Sequence, residues 1–160
     1  MSKFTFGKNT KISAAFAILI LLGIVLGCSG TKPDMPAESV SQGLVKATLS
    51  DFADAVDKGD FAAFRDKASK DFQTTYTADQ MKTTFKVFID KKDQTVPILK
   101  SAAGMTPTFS TPPAIREEKG NYFLVLKGTM DTKPAKTRFD NEYLWRDNSW
   151  KIIKAGTYLE

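Results

Sequence analysis

Residues 138–153 read RFDNEYLWRDNSWKII, and this stretch decides how the second half of the chain folds. Apolar and charged side chains alternate along it, which is the two-residue period of a strand with one covered face. Turn-forming residues at 147–149 separate two such runs, as in a β-hairpin. The side chains expected to face a core are Phe139, Asn141, Tyr143 and Trp145. Those expected on the opposite face are Arg138, Asp140, Glu142 and Arg146.

Alternation begins upstream of this hairpin, so a meander of antiparallel strands is expected after Thr106. The predicted strands cover residues 107–118, with an interruption at Pro112 and Pro113, and then 121–131, 136–146 and 150–159. In the second of these strands one face is apolar and consists of Tyr122, Leu124, Leu126 and Met130. The sheet should therefore have one apolar side to cover.

Residues 39–58 follow the helical period instead, and Ser39 with Gln42 fits a capping box at the start of a first helix. Gly59 suits a left-handed cap at its end, and Asp54 and Lys58 have the spacing of an ion pair. The apolar stripe of this helix is Val45, Leu49, Phe52 and Val56. These residues should pack on the sheet.

Two further helices are expected before the sheet. Asp60 should cap one from Phe61 to about Ser69, which offers Phe61, Phe64 and Ala68 to the core. Another should start at Thr77, where Thr77 and Gln80 repeat the capping-box pattern before Met81, Phe85 and Phe88. Over 91–105, Pro97 and Gly104 favour a short helix or turn.

Helices followed by antiparallel strands predict an α+β domain, with N-terminal helices packed on a curved antiparallel sheet of about four strands. A long first helix, the short second helix at GDFAAF (59–64) and the late hairpin together resemble the nuclear transport factor 2-like, or cystatin-like, proteins. The resemblance covers residues from about 40 to the end. It implies a sheet wrapped around a helix, and in many members the cone between them holds a small-molecule pocket.

The N-terminal residues have the three-part layout of a secretory signal. Basic residues come first, an aliphatic run AAFAILILLGIVL follows at 14–26, and Gly27 precedes Cys28. The run is shorter than the roughly 18 to 20 residues that span a bilayer, although a single-pass anchor is the alternative. Residues 25–28, VLGC, resemble the lipobox of bacterial lipoproteins, which implies cleavage after residue 27 and acylation of Cys28.

Three parts of the chain follow from this resemblance. Residues 1–27 are expected to be a lipoprotein signal peptide, residues 28–38 the lipidated N-terminus and a flexible tether, and residues 39–160 the α+β domain. The expected location is the cell envelope, with membrane lipid as a partner through the acylated Cys28. In a Gram-negative host, Ser29 after the cysteine would imply the outer membrane.

Composition excludes several classes of function. Three of the 23 basic residues precede Cys28 and none of the 18 acidic residues does, so the mature part carries only +2, which predicts no nucleic-acid partner. The absence of His removes the commonest general base and metal ligand, and the single Cys allows no intramolecular disulfide. No cofactor, metal site or catalytic residue is predicted, and an enzyme is the minority hypothesis.

The candidate ligand-binding residues are Phe139, Asn141, Tyr143 and Trp145, because Asn141 is the one polar side chain on an otherwise aromatic strand face. A structural Asn satisfied inside the core is the alternative. The leading hypothesis is a non-enzymatic envelope lipoprotein that binds a small apolar ligand or a partner protein. The other two are a structural docking module of an envelope complex and a small His-free enzyme of the nuclear transport factor 2-like type.

Overall fold

The computed structural model describes residues 32–160, and in this part of the chain six helices precede five strands. The helices are α1 (Glu38–Lys58), α2 (Ala62–Lys67), α3 (Lys70–Thr75), α4 (Ala78–Thr84), α5 (Lys86–Asp90) and α6 (Lys92–Gly104). The strands are β1 (Thr108–Phe109), β2 (Ala114–Glu118), β3 (Asn121–Met130), β4 (Thr137–Arg146) and β5 (Ser149–Leu159). The predicted α+β class is confirmed. The signal peptide predicted at 1–27 and the predicted lipidation of Cys28 lie outside the described residues.

Helix α1 buries the apolar stripe that its spacing predicts, and it ends at Gly59 in the left-handed conformation, with φ of 64°. The predicted capping box is wrong, because the helix begins at Glu38 and leaves Ser39 inside the first turn. The Gln42 side chain donates to the Glu38 carboxylate instead, at 2.9 Å. Asp54 and Lys58 form no ion pair in the structure. No helix within 32–160 is both long and apolar enough to cross a bilayer.

The region between α1 and α6 is a series of short helices. Thr77 and Gln80 form the predicted capping box, with both of its hydrogen bonds present. The sequence analysis missed α3, whose N-cap Ser69 accepts a hydrogen bond from the Phe72 N–H at 3.1 Å. The third predicted helix is divided at Phe85 into α4 and α5. Its aromatic side chains still pack on the core.

Residues 92–104 form one continuous helix of 13 residues, so the predicted short helix or turn is wrong. Pro97 lies inside this helix, at a cost that is about 3 kcal/mol for a proline in a helix interior. Burial offsets this cost, because α6 packs along α1 and places Val96, Leu99 and Ala102 in the core. Pro97 therefore disfavours the helix locally, and the packing of α6 on the core outweighs this effect.

Five strands form one open antiparallel sheet in which β3 pairs with β4 and β4 with β5. The predicted first strand is two short strands, β1 and β2, which pair with different parts of β3 and are separated by residues that include Pro112 and Pro113. Gly128 in β3 lies opposite Phe139 in β4, and a Cβ at Gly128 would lie 2.7 Å from the Phe139 ring. A bulge at Ile153 shifts the register of β5 against β4.

The hydrophobic core lies between the helices and one face of the sheet. Phe52 of α1 is at its centre, with ring centroids 4.8 Å from Phe85 and 5.4 Å from Phe88. The sheet contributes Leu124, Leu126, Met130, Phe139, Tyr143 and Ile152. The strand face predicted from alternation is therefore the face that the helices cover.

Candidate functional site

Three of the four predicted pocket residues are deep in this core. Phe139, Asn141 and Tyr143 are 1%, 1% and 2% exposed, on the face of β4 that the helices cover. Trp145 is separate from them, half-buried near the tip of the β4–β5 hairpin, with its ring centroid 5.0 Å from that of Trp150. The structure therefore brings three of these side chains together inside the core and places the fourth on the surface.

Tyr143 joins the sheet to α1 through a short polar network. Its hydroxyl lies 2.9 Å from the Thr48 Oγ1 and accepts a hydrogen bond from the Asn141 Nδ2 at 3.3 Å. Burial raises the pKa of Tyr143 to about 12, and these two hydrogen bonds act in the opposite direction. Asn141 Oδ1 is buried and has no hydrogen-bond partner among the described residues. This network fits a structural role, apart from the one unpaired oxygen.

An apolar cavity lies elsewhere, between the α3–α4 helices and strand β5. Its volume is about 390 Å³, within the range of small-molecule sites, and it is partly open to solvent. Its walls are mostly aromatic and aliphatic, and the lining residues are Phe72, Tyr76, Met81, Thr84, Phe85, Ile153, Lys154 and Ala155. Phe139, Asn141 and Tyr143 do not line it. The cavity therefore replaces the predicted pocket as the candidate functional site.

Ser69 fixes one wall of this cavity to the sheet. Its backbone N–H donates to the Ile152 carbonyl at 2.9 Å, next to the bulge at Ile153, and its hydroxyl caps α3. The start of α3 is thereby held against β5, and Phe72 in the same helix reaches the cavity. Bulges redirect side chains at the edges of sheets, and this one places Ile153 in the cavity wall.

Arg65 holds the segment between α3 and α4. The Arg65 guanidinium donates to the carbonyls of Tyr76 and Gln73, each at 2.7 Å. The Gln73 side chain in turn donates to the carbonyl of Ala68 at 2.9 Å. Tyr76 is thus fixed through its backbone, with its ring centroid 4.9 Å from that of Phe72. These hydrogen bonds keep the aromatic wall of the cavity in place without a ligand.

Lys154 lies at the edge of the cavity, but its ammonium group is engaged on the outer face of the sheet. It contacts Asp140 at 3.0 Å and Glu142 at 3.5 Å. Burial acts to lower the pKa of Lys154, but the two carboxylates outweigh it and raise the pKa. Lys127 and Arg116 pair with the same two carboxylates. The cavity is therefore lined by the apolar part of this side chain, while its charge is balanced outside.

A second, more open groove lies near the tip of the β4–β5 hairpin. Residues 32–36 form one side of it, and the other side includes Val40, Leu44, Trp145 and Trp150. Pro33 is buried, although it belongs to the tether predicted at 28–38. Residues 32–37 of this segment form no helix or strand, and Glu38 is the first residue of α1. Residues 32–36 lie against the domain, where they line the groove.

No group of three or more Asp, Glu, His or Cys side chains within residues 32–160 is placed to hold a metal ion. The cavity itself was missed from the sequence, although Met81 and Phe85 were predicted to face the core. The capping box of Thr77 and Gln80 and the spacing of Met81 and Phe85 indicated α4, whereas α3 was not predicted. The bulge at Ile153, which brings β5 into the cavity wall, has no signature in the sequence.

No protein family, curated protein sequence or solved structure matches this chain. The resemblance to nuclear transport factor 2-like proteins and the lipobox resemblance therefore stay predictions.

Proposed function

We propose that this chain is a lipid-anchored lipoprotein of the bacterial cell envelope, whose domain binds a small apolar or amphipathic ligand without catalysing a reaction. The anchor is Cys28, at the end of the signal-like segment. The ligand site is the cavity between α3–α4 and β5 rather than the β4 face first considered. The apolar cavity is the observation that carries the binding part of this proposal.

The chemistry of the cavity favours an apolar ligand. Phe72, Met81 and Phe85 offer apolar surface, and the charge of Lys154 is balanced by carboxylates outside the cavity. Water in such a cavity has few polar partners, so its displacement by an apolar group is favourable. The exposed Tyr76 can offer its hydroxyl at the rim to a polar end of the ligand.

Docking of an envelope protein through the exposed sheet face has less support. The main charged side chains of that face already pair with one another. Glu142 pairs with Arg116 and Lys154, and Asp140 pairs with Lys127 and Lys154. A partner would have to compete with these pairs. The apolar site therefore has the stronger claim.

Two matched variants of α4 test the site. Thr84 and Thr83 are both exposed, and each hydroxyl donates to the carbonyl four residues earlier. Thr84 lines the cavity and Thr83 does not. Thr84→Trp should block the cavity, whereas Thr83→Trp adds the same side chain outside it.

The chain from residue 28, carrying Cys28→Ser, would be titrated with the fluorescent fatty acid cis-parinaric acid and with the neutral probe N-phenyl-1-naphthylamine. We expect the parent and Thr83→Trp proteins to bind alike and Thr84→Trp to bind at least about tenfold more weakly, a loss of about 1.4 kcal/mol. Equal binding by both Trp variants, or no binding of either probe to the parent, would reject the cavity as the ligand site.

A further inference from the structure

The groove at the hairpin tip carries an inference that rests on the proposed acylation of Cys28. We infer that the surface formed by residues 32–36, Val40, Trp145 and Trp150 lies on the lipid bilayer, so that the domain is held in one orientation. We call this surface the tryptophan face. Its proposed partner is the interfacial region of the bilayer, where headgroups meet acyl chains.

Chain length places the anchor beside this face. Pro33 is buried and lines the groove that Trp145 and Trp150 also line. Pro33 lies five positions after Cys28, and a fully extended chain over five residues reaches at most about 18 Å. An acylated Cys28 would therefore hold the tryptophan face near the bilayer, whereas the far end of the sheet would have to point away.

The composition of the face fits a lipid interface. Tryptophan has an apolar body with one N–H group, and it is enriched where the hydrocarbon of a bilayer meets water. Next to the tryptophan pair, Met35 and Val40 are 49% and 48% exposed, which are among the largest exposures of apolar side chains between residues 32 and 160. These exposed groups have a natural partner in the headgroup region of a bilayer.

Charge on this face gives no reason to require an anionic lipid. The two charged residues that line the groove are Lys32 and Asp34, one of each sign. Contact should therefore depend on apolar burial and should persist on zwitterionic vesicles and in salt. Vesicles of phosphatidylcholine are sufficient to test it.

The test uses the lipidated mature protein, purified from membranes and reconstituted into phosphatidylcholine vesicles. Trp145 and Trp150 are the two tryptophans of the chain, so intrinsic fluorescence reports on this face. Phosphatidylcholine brominated near the headgroup end of its acyl chains quenches tryptophans at the interface. We expect the fluorescence to fall by about half or more, with less quenching when the bromine lies deep in the bilayer.

A control tryptophan at the other end of β5 makes the result specific. Tyr158 is exposed and lies eight residues beyond Trp150, roughly 26 Å along the strand. In a protein with Trp145→Phe, Trp150→Phe and Tyr158→Trp, fluorescence should be unaffected by brominated lipid.

Three outcomes would overturn the inference. If the protein floats with vesicles but Trp145 and Trp150 are not quenched, the bilayer contact of the tryptophan face is rejected and the lipid anchor is not. If the control tryptophan at position 158 is quenched equally, the proposed single orientation of the domain is rejected. If the protein does not float with vesicles, both the lipid anchor and the bilayer contact of the tryptophan face are rejected. Ligand binding in the α3–α4 cavity is measured separately and does not depend on any of these results.

Discussion

The Tyr143 hydroxyl lies 2.9 Å from the Thr48 Oγ1, and this contact joins strand β4 to helix α1 inside the core. The two residues are 95 positions apart in the chain. The contact therefore connects α1 to the β4–β5 hairpin at a buried point. Because the phenol is removed from water, its neutral form is favoured in the folded domain.

Tyr143 should make the stability of the domain depend on pH in the alkaline range. Its pKa is about 12 in the folded domain and about 10 in the unfolded chain. Its contribution is complete below pH 10 and is lost as the pH rises toward 12, because only the unfolded chain ionises in that window. The stability difference between the parent and Tyr143→Phe should therefore shrink by roughly 2 to 3 kcal/mol from pH 9 to pH 12. Urea unfolding at each pH measures this, and a constant difference would contradict it.

Asn141→Leu should leave stability unchanged or raise it by about 1 kcal/mol. The variant loses one long hydrogen bond and removes the Asn141 Oδ1, which is buried without a partner among the described residues. The contact between Tyr143 and Thr48 remains. Thr48→Val is the comparison and should cost about 1 to 3 kcal/mol, because it deprives the Tyr143 hydroxyl of its shorter contact. Equal losses in the two variants, measured by urea unfolding, would mean that the Asn141 oxygen is bonded after all.

Gly128→Ala should destabilise the domain by about 1 to 3 kcal/mol or more. The new methyl group would contact the Thr108 carbonyl oxygen, which is backbone and cannot rotate away, and the Phe139 ring. Gly43→Ala is the matched control, since a Cβ there meets no atom within 4 Å and Gly43 lies in α1. The control should gain about 0.5 to 1 kcal/mol from helix propensity. Thermal unfolding of both variants decides the matter, and a stable Gly128→Ala protein would contradict the packing of β1 on β3.

Cys28→Ser should abolish membrane partitioning and fatty-acid labelling while the domain still folds. The described domain begins after this residue, so the substitution removes no contact within residues 32–160. Metabolic labelling with a fatty acid, followed by membrane fractionation, tests the anchor. Ser29→Ala should keep its label and serves as the control. Label that persists in Cys28→Ser, or a mature mass that includes the leader, would reject the lipoprotein proposal.

The sequence predicted correctly those helices and strands that are determined by residues close together in the chain. The stripe from Val45 to Val56 and the alternation in β3 and β4 each predict a buried face. These faces are buried as expected, except that Tyr122 and Trp145 are half-buried. The capping box of Thr77 and Gln80 is a contact between near neighbours, so it could also be recognised. The same local patterns did not predict helix α6. Its stability comes from packing on α1, about 45 residues earlier, and a short stretch of sequence around Pro97 does not include those residues.

The candidate site was less accessible to prediction than the fold. Alternation correctly placed Asn141 and Tyr143 on the inner face, but it could not show whether the space above them was filled. Trp145 shares their spacing in the strand, yet it lies near the hairpin tip and is only half-buried. The cavity depends on three separate segments and on a one-residue bulge at Ile153, so it exists only in the folded chain.

The hydrogen bond between Ser69 and Ile152 also bears on whether neighbouring molecules aggregate. Strand β5 is a sheet edge, and an uncovered edge invites strand addition by a second chain. The α3 helix blocks part of this edge, while β1 and β2 are two and five residues long and β2 carries Arg116, Glu117 and Glu118. For the lipid-anchored chain proposed above, molecules confined to a membrane plane collide often. Short, charged or covered edges would keep such collisions from becoming aggregation.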